Sequence, residues 1–327
     1  FGQARLEDDV TGCTLGVREL DPHIEVFRAF GAEVLQEPGA VVVRAPTRVR
    51  AADQWADYAS VTATENFVLC AAMAAGDSRL TNAACEPHVQ EFCRVLTLMG
   101  ARIDGLASSR LVVRGVDTLG GVEYTFEDDF HEVTTFLALS AITGGDIVVR
   151  NGAAEHFPLL DRTFAKFGVE IEHRDGHSRA HVNGPLKVKP PFTSNILQKV
   201  EAAPWPYVPA DLLPIFVALG VRAEGSVMFW NKVYEGALGW SAELGKFGAH
   251  AVLCDPHRLI IYGGKPLVPA AVESPYIIRV AIALFMLAAS IDGKSTVLNA
   301  LPIRRAHPRF VENLNALGAQ VQWVKGE

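Results

Sequence analysis

One motif, repeated about every seventy residues, constrains this chain more than any other feature. It is an apolar residue, then glycine, then a small residue. It occurs as Phe30-Gly31-Ala32, Met99-Gly100-Ala101, Phe167-Gly168-Val169, Phe247-Gly248-Ala249 and Leu317-Gly318-Ala319. The five glycines lie 69, 68, 80 and 70 residues apart. A second motif is interleaved with it: a glycine followed six positions later by asparagine, at Gly76 and Asn82, Gly145 and Asn151, Gly225 and Asn231, and Gly293 and Asn299. Constant spacing at this period marks a chain built from repeated supersecondary units.

The content of one unit follows from local propensity. Runs such as Arg110 to Arg114 and Arg258 to Tyr262 are rich in β-branched and aliphatic residues, and read as strands. Asn66 to Ala75 reads as an apolar helix stopped by Gly76. A short strand then leads to the asparagine, which suits a turn or a helix cap. A second helix over Pro87 to Leu98 places Val89, Phe92, Val95 and Leu96 on one face. Strands therefore alternate with two helices in each unit, and several units must pack together to cover their apolar faces. Five copies of the first motif against four of the second suggest that the array is cut inside a unit ahead of Gly31. The Cys13 loop stands where that unit's asparagine turn belongs.

Composition narrows the class. A chain of 327 residues, 49% apolar and 20% charged, suits a soluble protein of two domains. A net charge of −7 argues against nucleic acid as the main partner. The cysteines at 13, 70, 85, 93 and 254 contain no C-x-x-C pair, which fits a reducing cytoplasm and argues against a disulfide framework or a zinc site. The longest apolar run, Ile277 to Ile291, contains Arg279 and is too short to span a bilayer. It reads as a core-facing helix.

The stretch most suggestive of chemistry is Thr11 to His23. Gly12 and Gly16 bracket Cys13, with Arg18 five residues after the thiol. A thiol near a guanidinium can donate a proton or act as a nucleophile, and a guanidinium matches phosphate in a forked geometry. From these residues alone the alternative stays open: an inert cysteine in a turn beside a solvated arginine.

Taken together, Gly12-Cys13-Thr14-Leu15-Gly16, Ser60-Val61 with Ala63-Thr64-Glu65-Asn66, Asn82-Ala83-Ala84 with Glu86-Pro87, Pro209 with Asp211, and the carboxyl-terminal Val324-Lys325-Gly326-Glu327 resemble the UDP-N-acetylglucosamine 1-carboxyvinyltransferases. These are enolpyruvyl transferases related to EPSP synthase. The resemblance runs over essentially the whole chain. It implies an α/β fold of two inside-out domains built from βαβαββ repeats, five of six units being present, with domains over residues 1–127 and 128–327. The sixth unit, carrying the family's lysine and asparagine, is expected ahead of Phe1. The implied reaction joins phosphoenolpyruvate to a UDP-sugar and releases phosphate, as the first committed step of peptidoglycan precursor synthesis.

The resemblance also implies roles for individual residues. Cys13, Asp211 and Arg305 are expected to be catalytic. Arg18, Glu19, Leu20, Asp21, Pro22, Ser60, Val61, Met228, Lys232 and Arg279 are expected to bind substrate. Glu86 and Asp129 match acidic positions near the site. No metal, cofactor, nucleic acid or membrane is expected, the compartment is the cytoplasm, and oligomeric state stays open. The chain departs from the family pattern at Lys232 (arginine there), at Ile277 (aspartate there) and at Thr62 (glycine there). These departures keep two alternatives in view, a paralogue with another acceptor and a non-catalytic relative.

Overall fold

The computed structural model describes residues 2–7, 19–193 and 196–324. Cys13 and Arg18 lie outside the described residues. The chain divides into two compact units, one running through Glu127 and including Pro204–Pro206, the other made of Asp128–Ala203 and the chain from Tyr207 onward.

The first unit opens with β1 (Gln3–Glu7), α1 (Asp21–Ala29), β2 (Glu33–Glu37) and β3 (Ala40–Arg44), whose strands form an antiparallel sheet in the order β1-β3-β2. A complete βαβαββ repeat follows: β4 (Asp53–Trp55), α2 (Val61–Ala72), β5 (Asp77–Thr81), α3 (Pro87–Leu98), β6 (Arg102–Asp104) and β7 (Arg110–Arg114). Its sheet has the order β4-β5-β7-β6, with β4 and β5 parallel and the other pairs antiparallel. Phe30 and Phe67 meet edge to face at 5.0 Å in the core between α1 and α2.

Helix α2 starts five residues before the expected Asn66. Ser60 Oγ accepts from the Ala63 amide at 3.4 Å, capping an N-terminus upstream of the apolar run. Helix α3 has the expected bounds, but its inner face is Val89, Gln90, Cys93 and Leu96, and Phe92 and Val95 are only half-buried.

The second unit contains α4 (Phe130–Thr143), β8 (Val148–Arg150), α5 (Pro158–Ala165), β9 (Val169–Arg174) and β10 (His177–Val182), with sheet order β8-β10-β9. Next come β11 (Gln198–Ala202), α6 (Leu213–Arg222), β12 (Gly225–Asn231), a 3-10 segment (Gly239–Phe247), β13 (His250–Asp255) and β14 (Arg258–Gly263), with sheet order β11-β12-β14-β13. Last are β15 (Ala271–Glu273), α7 (Ile278–Ala289), β16 (Thr296–Leu298), α8 (Ile303–Ala306) and α9 (Phe310–Ala316), with β15 and β16 parallel.

The inside-out character of this unit comes from α4, α6 and α7. All three are buried over almost their whole circumference and pack on one another, so they form the core while the sheets lie outside them. Strand β14 shows the pattern of a sheet with one covered face: Leu259 and Ile261 are fully buried, and the residues between and beside them are half-buried or exposed. The hydroxyls of Thr134 and Thr135 would be costly inside α4, but each donates to a backbone carbonyl four residues back, Phe130 O at 2.7 Å and His131 O at 2.8 Å. No described helix is long and apolar enough to cross a membrane.

The repeat motifs have a backbone meaning. All five glycines of the first motif adopt left-handed φ, between +80° and +110°. The apolar residue before them is buried at Phe30, Phe167 and Phe247, half-buried at Met99 and exposed at Leu317. In the second motif Gly76, Gly225 and Gly293 have φ of +110°, +123° and +119°, whereas in the second copy the left-handed residue is Gly144, one position before Gly145, ending α4. Gly293 has a second constraint, since a Cβ there would lie 2.5 Å from Pro269 Cγ. The asparagines serve turns in two ways. Asn82 and Asn299 take left-handed φ themselves, while Asn151 and Asn231 accept amide hydrogens two residues on.

Gly293→Ala is expected to lower the free energy of unfolding by about 1–3 kcal/mol, from backbone strain plus the clash. Gly318→Ala should cost less, because φ there is +96° but nothing lies within 4 Å of the added methyl. Urea unfolding of both variants checks this, and equal losses would contradict it.

Candidate functional site

In the first unit the expected nucleotide-binding residues fall at two helix N-termini. Leu20 precedes α1, and Asp21 and Pro22 form its first turn. Glu19, Leu20 and Asp21 are exposed, and Pro22 is half-buried. Ser60 and Val61 open α2. Pro22 and Ser60 line one small cavity of about 20 Å³ together with Glu25, Asp57 and Tyr58. Burial raises the Tyr58 hydroxyl above its ordinary pKa, and Glu19, Asp21, Asp57 and Glu25 add to the shift. A cavity of this size has room for about one water, and its rim is rich in carboxylates.

His23 ties the two helices together. Its Nδ1 accepts from Asn66 Nδ2 at 2.8 Å, so the ring proton sits on Nε2, 3.4 Å from Thr62 Oγ1. Burial lowers the His23 imidazole below its ordinary pKa. Thr62, where the resemblance expects glycine, thus serves as an acceptor for His23.

In the second unit, three repeats present the start of their first helix at the same station. Asp129 caps α4, Asp211 lies just ahead of α6, and Ile277 precedes α7. Asp129 Oδ1 accepts from the His131 amide at 2.8 Å. Ile277 makes no side-chain cap. Asp211 is exposed, in the turn Ala210–Leu212.

Arg279 occupies the first turn of α7, a helix otherwise made of apolar residues. Its guanidinium is 12% exposed, donates from Nη1 to His307 Nε2 at 2.7 Å, and lies 3.8 Å from Asp129 Oδ2 through Nη2. Burial pushes the Asp129 carboxyl up. The hydrogen bond and charge of His131, with the charge of Arg279, outweigh that and hold it far below the ordinary carboxylate range. Arg305 belongs to α8 and lies over the Tyr276 ring at 5.9 Å, three residues before Arg279. The end of α8 therefore docks at the N-terminus of α7 through two contacts, Arg305 on Tyr276 and His307 on Arg279. A guanidinium at a helix N-terminus is an arrangement that can hold an anion.

Two expected ligands stand apart from this arrangement. Met228 is half-buried in β12, opposite Lys199 and Ile260. Lys232 Nζ donates to Glu201 at 2.7 Å and lies over the Trp230 ring at 4.5 Å, so its charge is already engaged. A cavity of about 550 Å³ is lined by Glu243, Glu273, Tyr276 and Asn299. Its carboxylates are also engaged: Glu243 accepts from Lys246 and the Glu273 amide, and Glu273 accepts from Asn299. Among the described residues no group of three or more His, Cys, Asp or Glu side chains is arranged to hold a metal.

The sequence reasoning missed His307, Glu132 and His131. No period or spacing marks them, and only the return of α8 onto α7 brings His307 to Arg279.

Comparison with known proteins places the chain in context. Residues 9–314 match the family model described as EPSP synthase (3-phosphoshikimate 1-carboxyvinyltransferase). The UDP-N-acetylglucosamine 1-carboxyvinyltransferase of Borrelia garinii is 34% identical over 97% of this chain and 73% of its own length. The protein of that name in Bradyrhizobium diazoefficiens is 35% identical over 96% of this chain and 72% of its own. Among solved structures, the enolpyruvyl transferase NikO from Streptomyces tendae aligns with a TM-score of 0.84 at 22% identity, covering 98% of this chain and 74% of that one. An EPSP synthase from Acinetobacter baumannii aligns with a TM-score of 0.68 at 17% identity, over 96% and 73%. Both structures share the fold.

The depressed Asp129 carboxyl gives a pH prediction. A folded-state pKa below the unfolded value of about 3.9 contributes stability that is present above that value and lost as pH falls through the folded-state value. Wild type should therefore lose stability below about pH 4 faster than Asp129→Asn, with a gap at pH 7 held to about 1 kcal/mol by solvent screening. Urea midpoints from pH 6 to pH 3 check this. A gap that stays constant over that range would contradict it.

Proposed function

Because the chain belongs to the EPSP synthase family of carboxyvinyltransferases, we propose that it transfers the enolpyruvyl group of phosphoenolpyruvate to the 3-hydroxyl of UDP-N-acetylglucosamine. Phosphate is the second product, and the reaction opens peptidoglycan precursor synthesis. The observation that carries this reading is the docking of the α8 end at the α7 N-terminus, where His307 binds Arg279 of the first turn and Arg305 lies over Tyr276, three residues ahead of it.

The chemistry needs such an arrangement. The acceptor oxygen bonds to carbon 2 of phosphoenolpyruvate while carbon 3 gains a proton. Carbon 3 then loses a proton as the bond from carbon 2 to the phosphate oxygen breaks. The adduct between these steps carries a carboxylate and a phosphate on one carbon. Arg279 and Arg305, with Arg18, hold these anions, and their charge is worth most where the leaving phosphate gathers electrons. Cys13 supplies the proton to carbon 3. Asp211 orients the accepting hydroxyl and takes up its proton. The α1 start from Glu19 to Pro22, the Ser60–Val61 cap of α2 and Met228 hold the nucleotide sugar.

A second reading keeps this chemistry and changes the acceptor. It is favoured by the ion pair of Lys232 with Glu201, by the bond of Thr62 to His23 and by Ile277, which lacks a carboxylate. An arginine would offer two parallel donors to a phosphate where Lys232 offers a single point charge.

The full-length protein given phosphoenolpyruvate and UDP-N-acetylglucosamine is expected to release phosphate only when both are present. Cys13→Ala should slow release by about 10²- to 10⁴-fold, the range of positioned acid catalysis. Phosphate release independent of an acceptor, or unchanged in Cys13→Ala, would contradict the mechanism. In a panel of nucleotides and nucleotide sugars, turnover with a different acceptor alone would select the second reading.

A further inference from the structure

We propose that His307 is the positioning residue for Arg279: its imidazole fixes the plane of the guanidinium that grips the phosphoenolpyruvate anion. The proposal rests on the functional reading above for the identity of that anion.

The chemistry of the contact determines its polarity. An arginine side chain has donors only, so His307 Nε2 must be the acceptor of the 2.7 Å bond from Arg279 Nη1. The ring proton is therefore on Nδ1. That atom is buried and faces Glu132 Oε1 at 3.1 Å, a charge-contact distance that lies off the line of a hydrogen bond. Glu132 thus favours the tautomer that leaves Nε2 open to Arg279. The three groups come from three elements: the carboxylate from α4, the guanidinium from α7 and the imidazole from the residue that ends α8.

The ring itself is held in place. His307 is 5% exposed and lies 5.9 Å from the Phe310 ring, which in turn meets Phe285 of α7 edge to face at 5.2 Å. A support that is itself fixed by packing can hold a charged group to the tolerance that anion recognition needs. A neutral imidazole also orients the guanidinium without cancelling its charge, unlike a carboxylate in the same place. Because His307 follows Arg305 by two residues, the same bond anchors the segment that presents the second arginine.

Two substitutions separate positioning from packing. His307→Gln keeps one acceptor and one donor on a neutral group, whereas His307→Phe keeps an aromatic ring and removes the acceptor. The full-length protein is assayed for the kcat and KM of phosphoenolpyruvate by phosphate release, and for phosphoenolpyruvate affinity by calorimetry with no UDP-sugar added, so that no turnover contributes heat. His307→Phe is expected to raise KM and Kd about tenfold or more, with kcat falling less and the thermal midpoint within a few degrees of wild type. His307→Gln should stay within about threefold of wild type. Glu132→Ala, at a half-exposed site that folding tolerates, should raise KM and Kd by a smaller factor and serves as the test should His307→Phe fail to fold.

Unchanged KM and Kd in His307→Phe would overturn the proposal, as would equal losses in the Phe and Gln variants. With Glu132→Ala as the fallback, an unchanged Kd would overturn it. A wild type that binds phosphoenolpyruvate without turnover, while His307→Phe binds it more weakly, would sink the enzymatic reading and leave the positioning role standing. A wild type that does not bind phosphoenolpyruvate would overturn both.

Discussion

Helices without a polar face must be covered on all sides, and this requirement governs the second unit. Helices α4, α6 and α7 satisfy it by packing on one another, with β-sheets outside them. Each fully buried Leu, Ile or Phe among them contributes about 1.5–3 kcal/mol. Polar groups survive in this core only where their hydrogen bonds close locally, as Thr134 and Thr135 do onto their own helix. The helix ends are the places where backbone donors remain and where charged side chains can reach water. A site for anions is therefore pushed to the starts of these helices by the same burial that stabilises the unit.

Arg279 shows how closely fold and chemistry are coupled. It sits one turn from a wholly apolar stretch, so its charge needs partners before any ligand arrives. Asp129 from α4 supplies a loose charge contact and His307 supplies a short bond. These contacts tie the start of α4 and the end of α8 to the start of α7. The contacts that let an arginine sit there also aim it.

Much of the fold was legible in the sequence because glycine and asparagine punctuate it for a physical reason. All five first-motif glycines adopt left-handed φ, so their spacing reported the repeat length directly. Strand β7 and helix α3 appeared at the expected bounds. The start of α2 was misjudged because the apolar run, and not the Ser60 cap, drew the boundary. In α3 the face was off by one position, since Cys93 and Gln90 pack inside while Phe92 and Val95 are only half-buried. Of the candidate residues, Arg279 stood out in the sequence as a charge in an apolar run, whereas Arg305 was marked only by the family resemblance, through its register from the chain end. His307 was not legible, because its contact with Arg279 joins residues 28 apart through the return of a short helix. The pairing of Lys232 with Glu201 was likewise invisible, since it depends on β11 lying beside β12.

The central claim is that Arg279 and Arg305 form the grip on the anion transferred and released. The most direct measurement is an experimental structure of the full-length protein with phosphoenolpyruvate and the UDP-sugar bound. The account predicts ligand phosphate or carboxylate oxygens within hydrogen-bond distance of both guanidinium groups, and the Cys13 sulfur facing the three-carbon unit. A phosphoenolpyruvate bound with neither arginine in contact, in a crystal competent for turnover, would contradict it.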